Sequence, residues 1–120
     1  MTLTPRARRE VEGAVGKVRS VLLLQPRNGE YAALIAFFKQ HDILGLAIRE
    51  AGALTGEVHV PLSGVGPVMV TALWESEEAY AGWRSHPVRD RFSGDMERLT
   101  EPNASPVGSG LYTVAVAASR

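Results

Sequence analysis

Trp74-Glu75-Ser76-Glu77-Glu78-Ala79-Tyr80 closes an apolar run, Val68 to Trp74, with a helix-start signal. Serine is a side chain that accepts a backbone N–H at a helix N-terminus, which suits Ser76. Glu77 and Glu78 then fall in the first turn, where the positive end of the helix dipole favours carboxylates. The stretch reads as a strand ending at Trp74 and a helix starting just after it. Tyr80 lies about one turn into that helix, so two large aromatic side chains flank one strand-to-helix junction and reach the same space.

Outward from this junction, the chain divides into alternating elements. Val18 to Gln25 is rich in Val and Leu and predicts a buried strand. Pro26-Arg27-Asn28-Gly29 predicts a turn. Leu34, Ile35, Phe37 and Phe38 follow helical spacing within Glu30 to His41. A second helical piece, Ile43 to Ala51, follows a bend near His41-Asp42 and stops at Gly52. Leu54 to Leu62 alternates as a half-buried strand, and Ser63 to Pro67 is its loop. Val68 to Trp74 is the third strand. Ser76 to Ser85 is helical, and Pro87 suits the first position of a further helix to about Leu99. Glu101 to Gly110 is a loop, and Leu111 to Ala118 predicts the last strand.

The order is β-α-β-β-α-β, an α+β, ferredoxin-like arrangement with an antiparallel sheet and both helical segments on one face. Residues 1–16 read as an N-terminal arm and residues 17–120 as a single ferredoxin-like domain. The far face of the sheet is also apolar. Pairing of two copies face to face would cover it, so a homodimer is expected.

Composition narrows the function classes. The chain has 120 residues, a net charge of zero and no cysteine. Nothing in that balance favours nucleic acid or an anionic membrane as partner. Thiolate catalysis and thiolate metal sites are excluded. The N-terminal residues hold no apolar core like that of a signal peptide, which leads to the expectation of a cytoplasmic protein. Asn103-Ala104-Ser105 fits a glycosylation pattern that has no bearing without secretion. His41, His59 and His86 are far apart and lie in no carboxylate-rich cluster, so no metal site is expected. Gly64-Val65-Gly66 sits between strands and reads as a turn, not a phosphate loop.

A ligand space is expected between sheet and helices. Val70, Ala72 and Trp74 share one face of the third strand. Thr113, Ala115 and Ala117 offer small side chains on the last strand, and Ser20 does so on the first. Phe38, Trp83 and Phe92 come from the helical cover, with His41 at the mouth. Small side chains under such a cover leave room for a flat apolar ligand. The alternative is a closer helix packing with no cavity, in which Trp74 is a core residue with its N–H bonded to backbone. Arg91, on the last helix beside Arg89, is placed to hold a phenolate or carbonyl oxygen. A solvated helix face is the commoner role for either arginine.

The Trp74 to Tyr80 motif, with Glu75, Ser76, Glu77 and Ala79 between, resembles the strand-helix junction of the antibiotic biosynthesis monooxygenases, which are dimeric α+β barrel proteins. The resemblance spans residues 18–118, mostly at the level of strand order. It implies cofactor-independent oxygenation of a small aromatic or polyketide-type metabolite, as in that family's anthrone oxygenases, with no metal, flavin or haem. Trp74, Tyr80 and Arg91 would be catalytic, and Phe38, His41, Val70, Ala72, Trp83 and Phe92 would bind substrate. Val70 stands where those oxygenases carry Asn. The haem-degrading branch has an Asn, a Trp and a His at positions held here by Leu22, Trp83 and Ser93, so haem degradation is not expected. A polyketide-type cyclase or isomerase using the same pocket, or a non-catalytic binding protein, stands as the alternative.

Overall fold

The computed structural model describes residues 13–102 and 108–120. Most of the expected N-terminal arm and the Asn103-Ala104-Ser105 pattern lie outside the described residues. Four strands, β1 (Val18–Leu24), β2 (Thr55–His59), β3 (Val68–Trp74) and β4 (Gly110–Thr113), form one sheet in the order β2-β3-β1-β4. Every neighbouring pair is antiparallel. The helices are α1 (Tyr31–Gln40), α2 (Ile43–Ala51), α3 (Glu77–Arg84) and α4 (Ser93–Leu99). Short 3-10 segments, Arg27–Gly29 and Pro87–Arg91, lead into α1 and α4. This is the expected split β-α-β arrangement.

Register assigns the faces. Val18 pairs with Trp74, Ser20 with Ala72 and Leu22 with Val70, so these six side chains share the helix side. Arg19, Val21 and Leu23 take the other side together with Met69, Thr71 and Leu73. The core lies between the first set and the helices and includes Leu34, Phe37 and Phe38 of α1, Ile43 and Ala47 of α2, Trp83 and Phe92.

Tyr31 to Ala51 forms a 21-residue helical stretch with mean hydropathy 1.2, enough in length and composition to cross a bilayer. It is nevertheless two helices. Asp42 takes a left-handed conformation (φ 49°) between them, and the buried side chains of both face the sheet. An added Cβ at Gly45 would meet the Asp42 carboxylate and make that side chain shift. Gly52 (φ 79°) ends α2 in the left-handed conformation glycine adopts without steric cost.

Three boundaries differ from the sequence expectation. β2 stops at His59 instead of Leu62, since Pro61 has no N–H to give to the ladder. The Pro87 to Leu99 stretch is not one helix: Phe92 (φ −133°) separates the 3-10 segment from α4. The last strand ends at Thr113, not Ala118. β4 pairs only with β1, and β1 begins at Val18, so the ladder runs out of partner after the Val114 N–H bonds Lys17 O at 2.9 Å.

Candidate functional site

The junction quoted first builds one corner of the site. Ser76 Oγ accepts the Ala79 N–H at 3.2 Å, and Glu77 and Glu78 occupy the first turn of α3. Lys17 Nζ meets Glu75 Oε2 at 2.6 Å, tying the junction to the start of β1. With the turn fixed, Trp74 and Tyr80 meet edge to face, ring centroids 5.6 Å apart at 68°. That geometry is favoured by the ring quadrupoles.

Trp74 is 1% exposed, and its indole N–H donates to Ser20 Oγ at 3.0 Å. The expectation of a backbone partner for the indole is therefore corrected. The partner is the one hydroxyl on the facing strand, brought opposite by the Val18–Trp74 and Ser20–Ala72 register. The Ser20 hydroxyl in turn lies 3.5 Å from Ala72 O.

A cavity of about 420 Å³ lies between sheet and helices, within the range of small-molecule sites. Its floor is Ser20, Leu22, Leu24, Val70, Ala72 and Trp74. Phe38 closes one side, α2 contributes Ile43, Leu44 and Ala47, and α3 contributes Tyr80, Trp83 and Arg84. Arg89, Phe92, Ser93, Met96, Glu97 and Thr100 complete it. Trp83 and Phe92 are 6.2 Å apart with their rings tilted by 32°, giving the wall an aromatic pair.

Of the residues expected at a site, Phe38, Val70, Ala72, Trp74, Tyr80, Trp83 and Phe92 line this cavity together. His41 does not. Its ring packs on Phe37 at 4.7 Å and borders a separate surface depression with Gln40 and Asp95.

Arg91 is also placed elsewhere. It is exposed and does not line the cavity. Arg89 does, half-buried, with its guanidinium carbon 5.2 Å from the Trp83 ring centroid. Arg89 stands three residues before the buried Phe92, a spacing that puts both on one face in a 3-10 turn and in an α-helix alike, whereas Arg91, next to Phe92, falls on another face. Burial, followed by the nearby positive charge of Arg84, lowers the Arg89 pKa from its ordinary value, while Tyr80 acts in the opposite sense. Guanidinium starts so far above neutrality that Arg89 stays a cation.

The small residues expected on the last strand contribute nothing to the cavity. By register Leu111 and Thr113 face the helix side, yet both are exposed, because the helices cover β1, β3 and β2 but not β4. Ala115 and Ala117 lie beyond the strand.

Among the described residues no cluster of His, Cys, Asp or Glu could hold a metal ion. The cavity lining contains neither His nor Cys. These are the usual iron ligands of haem proteins, so the lining does not fit haem ligation through either. Its polar groups are Ser20, Tyr80, Arg84, Arg89, Ser93, Glu97 and Thr100. They can bind and orient oxygen atoms, and Arg84 and Arg89 can stabilise negative charge.

No protein-family model and no curated protein sequence matches the chain. Its likeness is to solved structures. Rv0793 from Mycobacterium tuberculosis superposes with a TM-score of 0.66 at 18% identity, covering 86% of this chain and 99% of that one. A protein from Chloroflexus aurantiacus, provisionally named an antibiotic biosynthesis monooxygenase, gives 0.62 at 17% identity over 86% of this chain and 97% of that one. The heme-degrader MhuD from Mycobacterium tuberculosis, with two hemes in its active site, gives 0.55 at 21% identity over 86% and 98%. At such identities the likeness is one of fold. The chain has the ferredoxin-like α+β fold shared by these antibiotic-biosynthesis-monooxygenase-like structures.

Proposed function

We propose that this chain is a cofactor-independent monooxygenase acting on a small aromatic or polyketide-type metabolite. The observation that carries the reading is the cavity of about 420 Å³, with Leu22, Leu24, Val70 and Ala72 on its floor and Trp74, Tyr80, Trp83 and Phe92 as aromatic walls. It suits a flat polycyclic ligand. The structural likeness to a provisionally named antibiotic biosynthesis monooxygenase adds support by analogy of fold.

In this reading the substrate supplies the electrons. A deprotonated anthrone carbon passes one electron to dioxygen, the pair recombines as a hydroperoxide, and loss of water leaves a carbonyl. In balance, one ring methylene and one dioxygen give one ring carbonyl and one water. One oxygen atom enters the product, the other leaves as water, and both methylene hydrogens go with it. The protein removes the substrate from water, orients it between rings and places cationic groups where its oxygen carries negative charge. Tyr80 and Arg89 take the roles that touch substrate oxygen. Trp74, whose N–H is committed to Ser20, shapes the wall. Two copies would pair through the sheet face that carries Val21, Leu23, Met69 and Leu73.

A second reading, cyclisation or isomerisation in the same cavity, is favoured by Val70. It lines the floor and offers no hydrogen bond where the resembling oxygenases carry Asn. The deciding experiment is oxygen uptake by purified, metal-free protein with a panel of anthrones and dihydroxynaphthalenes. Uptake above the protein-free rate with quinone formation is expected. Ring closure or isomerisation of a polyketide-like substrate without oxygen uptake would favour the second reading, and saturable binding with no turnover would leave a binding protein.

A further inference from the structure

Two cations, Arg84 and Arg89, stand close together with Tyr80 on the cavity lining. Arg89 lies over the face of Trp83 at 5.2 Å, and Arg84 comes from the end of α3. Tyr80 is the polar neutral group beside them. None of the ion pairs formed among the described residues involves Arg89 or Arg84. Among the other described arginines, Arg49 pairs with Asp42 and Arg98 with Asp95, while the exposed Arg27 and Arg91 form no ion pair with a described residue but do not line the cavity. Half-buried and with no carboxylate partner among the described residues, the Arg89 guanidinium has lost hydration and gained the Trp83 ring face. Stacking on that face leaves the planar N–H edge of the guanidinium available to a bidentate acceptor.

We infer that this part of the cavity is a carboxylate subsite, so that the ligand is an aromatic acid whose ring system lies against Trp83 and Phe92 and whose carboxylate is held by Arg89. Arg89 is then the specificity-determining residue and Arg84 reinforces the local charge from a more exposed position. The one acidic side chain on the lining, Glu97, belongs to α4 and is exposed. The inference rests on the cavity being a ligand site, and it names the charge of what fills it.

The test is fluorescence-detected binding to the purified chain of three probes of one shape: 1-hydroxy-2-naphthoate, its neutral carboxamide, and 1-naphthol. The naphthoate should bind at least about tenfold more tightly than the carboxamide, an advantage that shrinks with added salt. Arg89→Gln should remove that advantage, lowering naphthoate affinity about tenfold more than it lowers carboxamide or naphthol affinity. Arg89→Lys should restore part of it, because the charge returns without the bidentate edge. Arg84→Gln should reduce it less. A melting curve for each variant establishes that the chain is folded. Equal affinity of naphthoate and carboxamide for the unaltered protein would overturn the carboxylate subsite and leave the ligand cavity standing. Equal losses for all three probes in Arg89→Gln would overturn it too, since Arg89 would then act only through packing on Trp83. Binding of none of the probes would overturn the cavity reading itself and the subsite with it.

Discussion

The indole N–H of Trp74 is donated to Ser20 Oγ at 3.0 Å, and both residues are buried between strand and helix. The hydroxyl sits on β1 and the indole on β3, so this bond staples two strands on the side that faces the cavity. Ser20→Ala strands a buried donor and should cost about 1–3 kcal/mol. Trp74→Phe removes the donor itself. The double variant should therefore lose less than the two single losses combined, by on the order of 1 kcal/mol. Urea unfolding of the four proteins measures it, and strict additivity would mean the bond contributes nothing.

Because that N–H is committed, Trp74 and Tyr80 should respond differently in turnover. Trp74→Phe changes the shape of the wall but removes no group aimed at substrate. Tyr80→Phe removes the hydroxyl of the pair. Oxygen uptake on an accepted anthrone should fall by roughly tenfold or more in Tyr80→Phe, the scale of one lost hydrogen bond to a charged oxygen. It should fall less in Trp74→Phe. The reverse order would remove Tyr80 from the site chemistry.

Ser76→Ala leaves the Ala79 N–H without its cap and should cost about 1 kcal/mol. Ser76→Asp should hold stability, since a carboxylate caps equally well and suits the dipole. Thermal melts distinguish the two. Equal melting of Ser76→Ala and the unaltered protein would show that the cap does not set the α3 start.

Two glycines should give opposite signs for the same substitution. Gly52 has φ 79°, so Gly52→Ala should destabilise by about 1–2 kcal/mol. Gly82 lies within α3 with nothing within 4 Å of an added Cβ, so Gly82→Ala should stabilise by about 0.8–1.0 kcal/mol. Denaturant midpoints measured side by side check both, and matching signs would contradict the backbone account.

Arg91→Ala should leave ligand affinity within about twofold, because the side chain is exposed outside the cavity. Titration with the naphthol probe measures this. A larger loss would restore Arg91 to the site.

The sequence carried most of this architecture in local signals. β3 and α2 fall where alternation, caps and the Gly52 stop put them, because those signals are written within each element. The aromatic corner was legible for the same reason: a strand end and a capped helix fix Trp74 and Tyr80 over seven residues of chain. What was not legible depends on non-local partners. The last strand has the alternation to continue to Ala118, but its length is decided by where β1 begins. On the last helical segment the signal was local: Phe92 lies three residues after Arg89, which marks the buried face in a 3-10 turn and in an α-helix alike and leaves Arg91 off it. His41 lies outside the cavity, its ring packed on Phe37 one helical turn back.

The Pro87–Arg91 segment also works as a ruler. With three residues per turn, removing or adding one residue ahead of Phe92 would swing Arg89 about 120° around the segment axis. The aromatic wall would survive, yet its positive pole would turn toward water. The charge of the cavity is therefore encoded in a residue count as much as in a residue identity. Homologous chains could exchange an acid-accepting pocket for a neutral one by a single-codon insertion or deletion, without altering any wall residue.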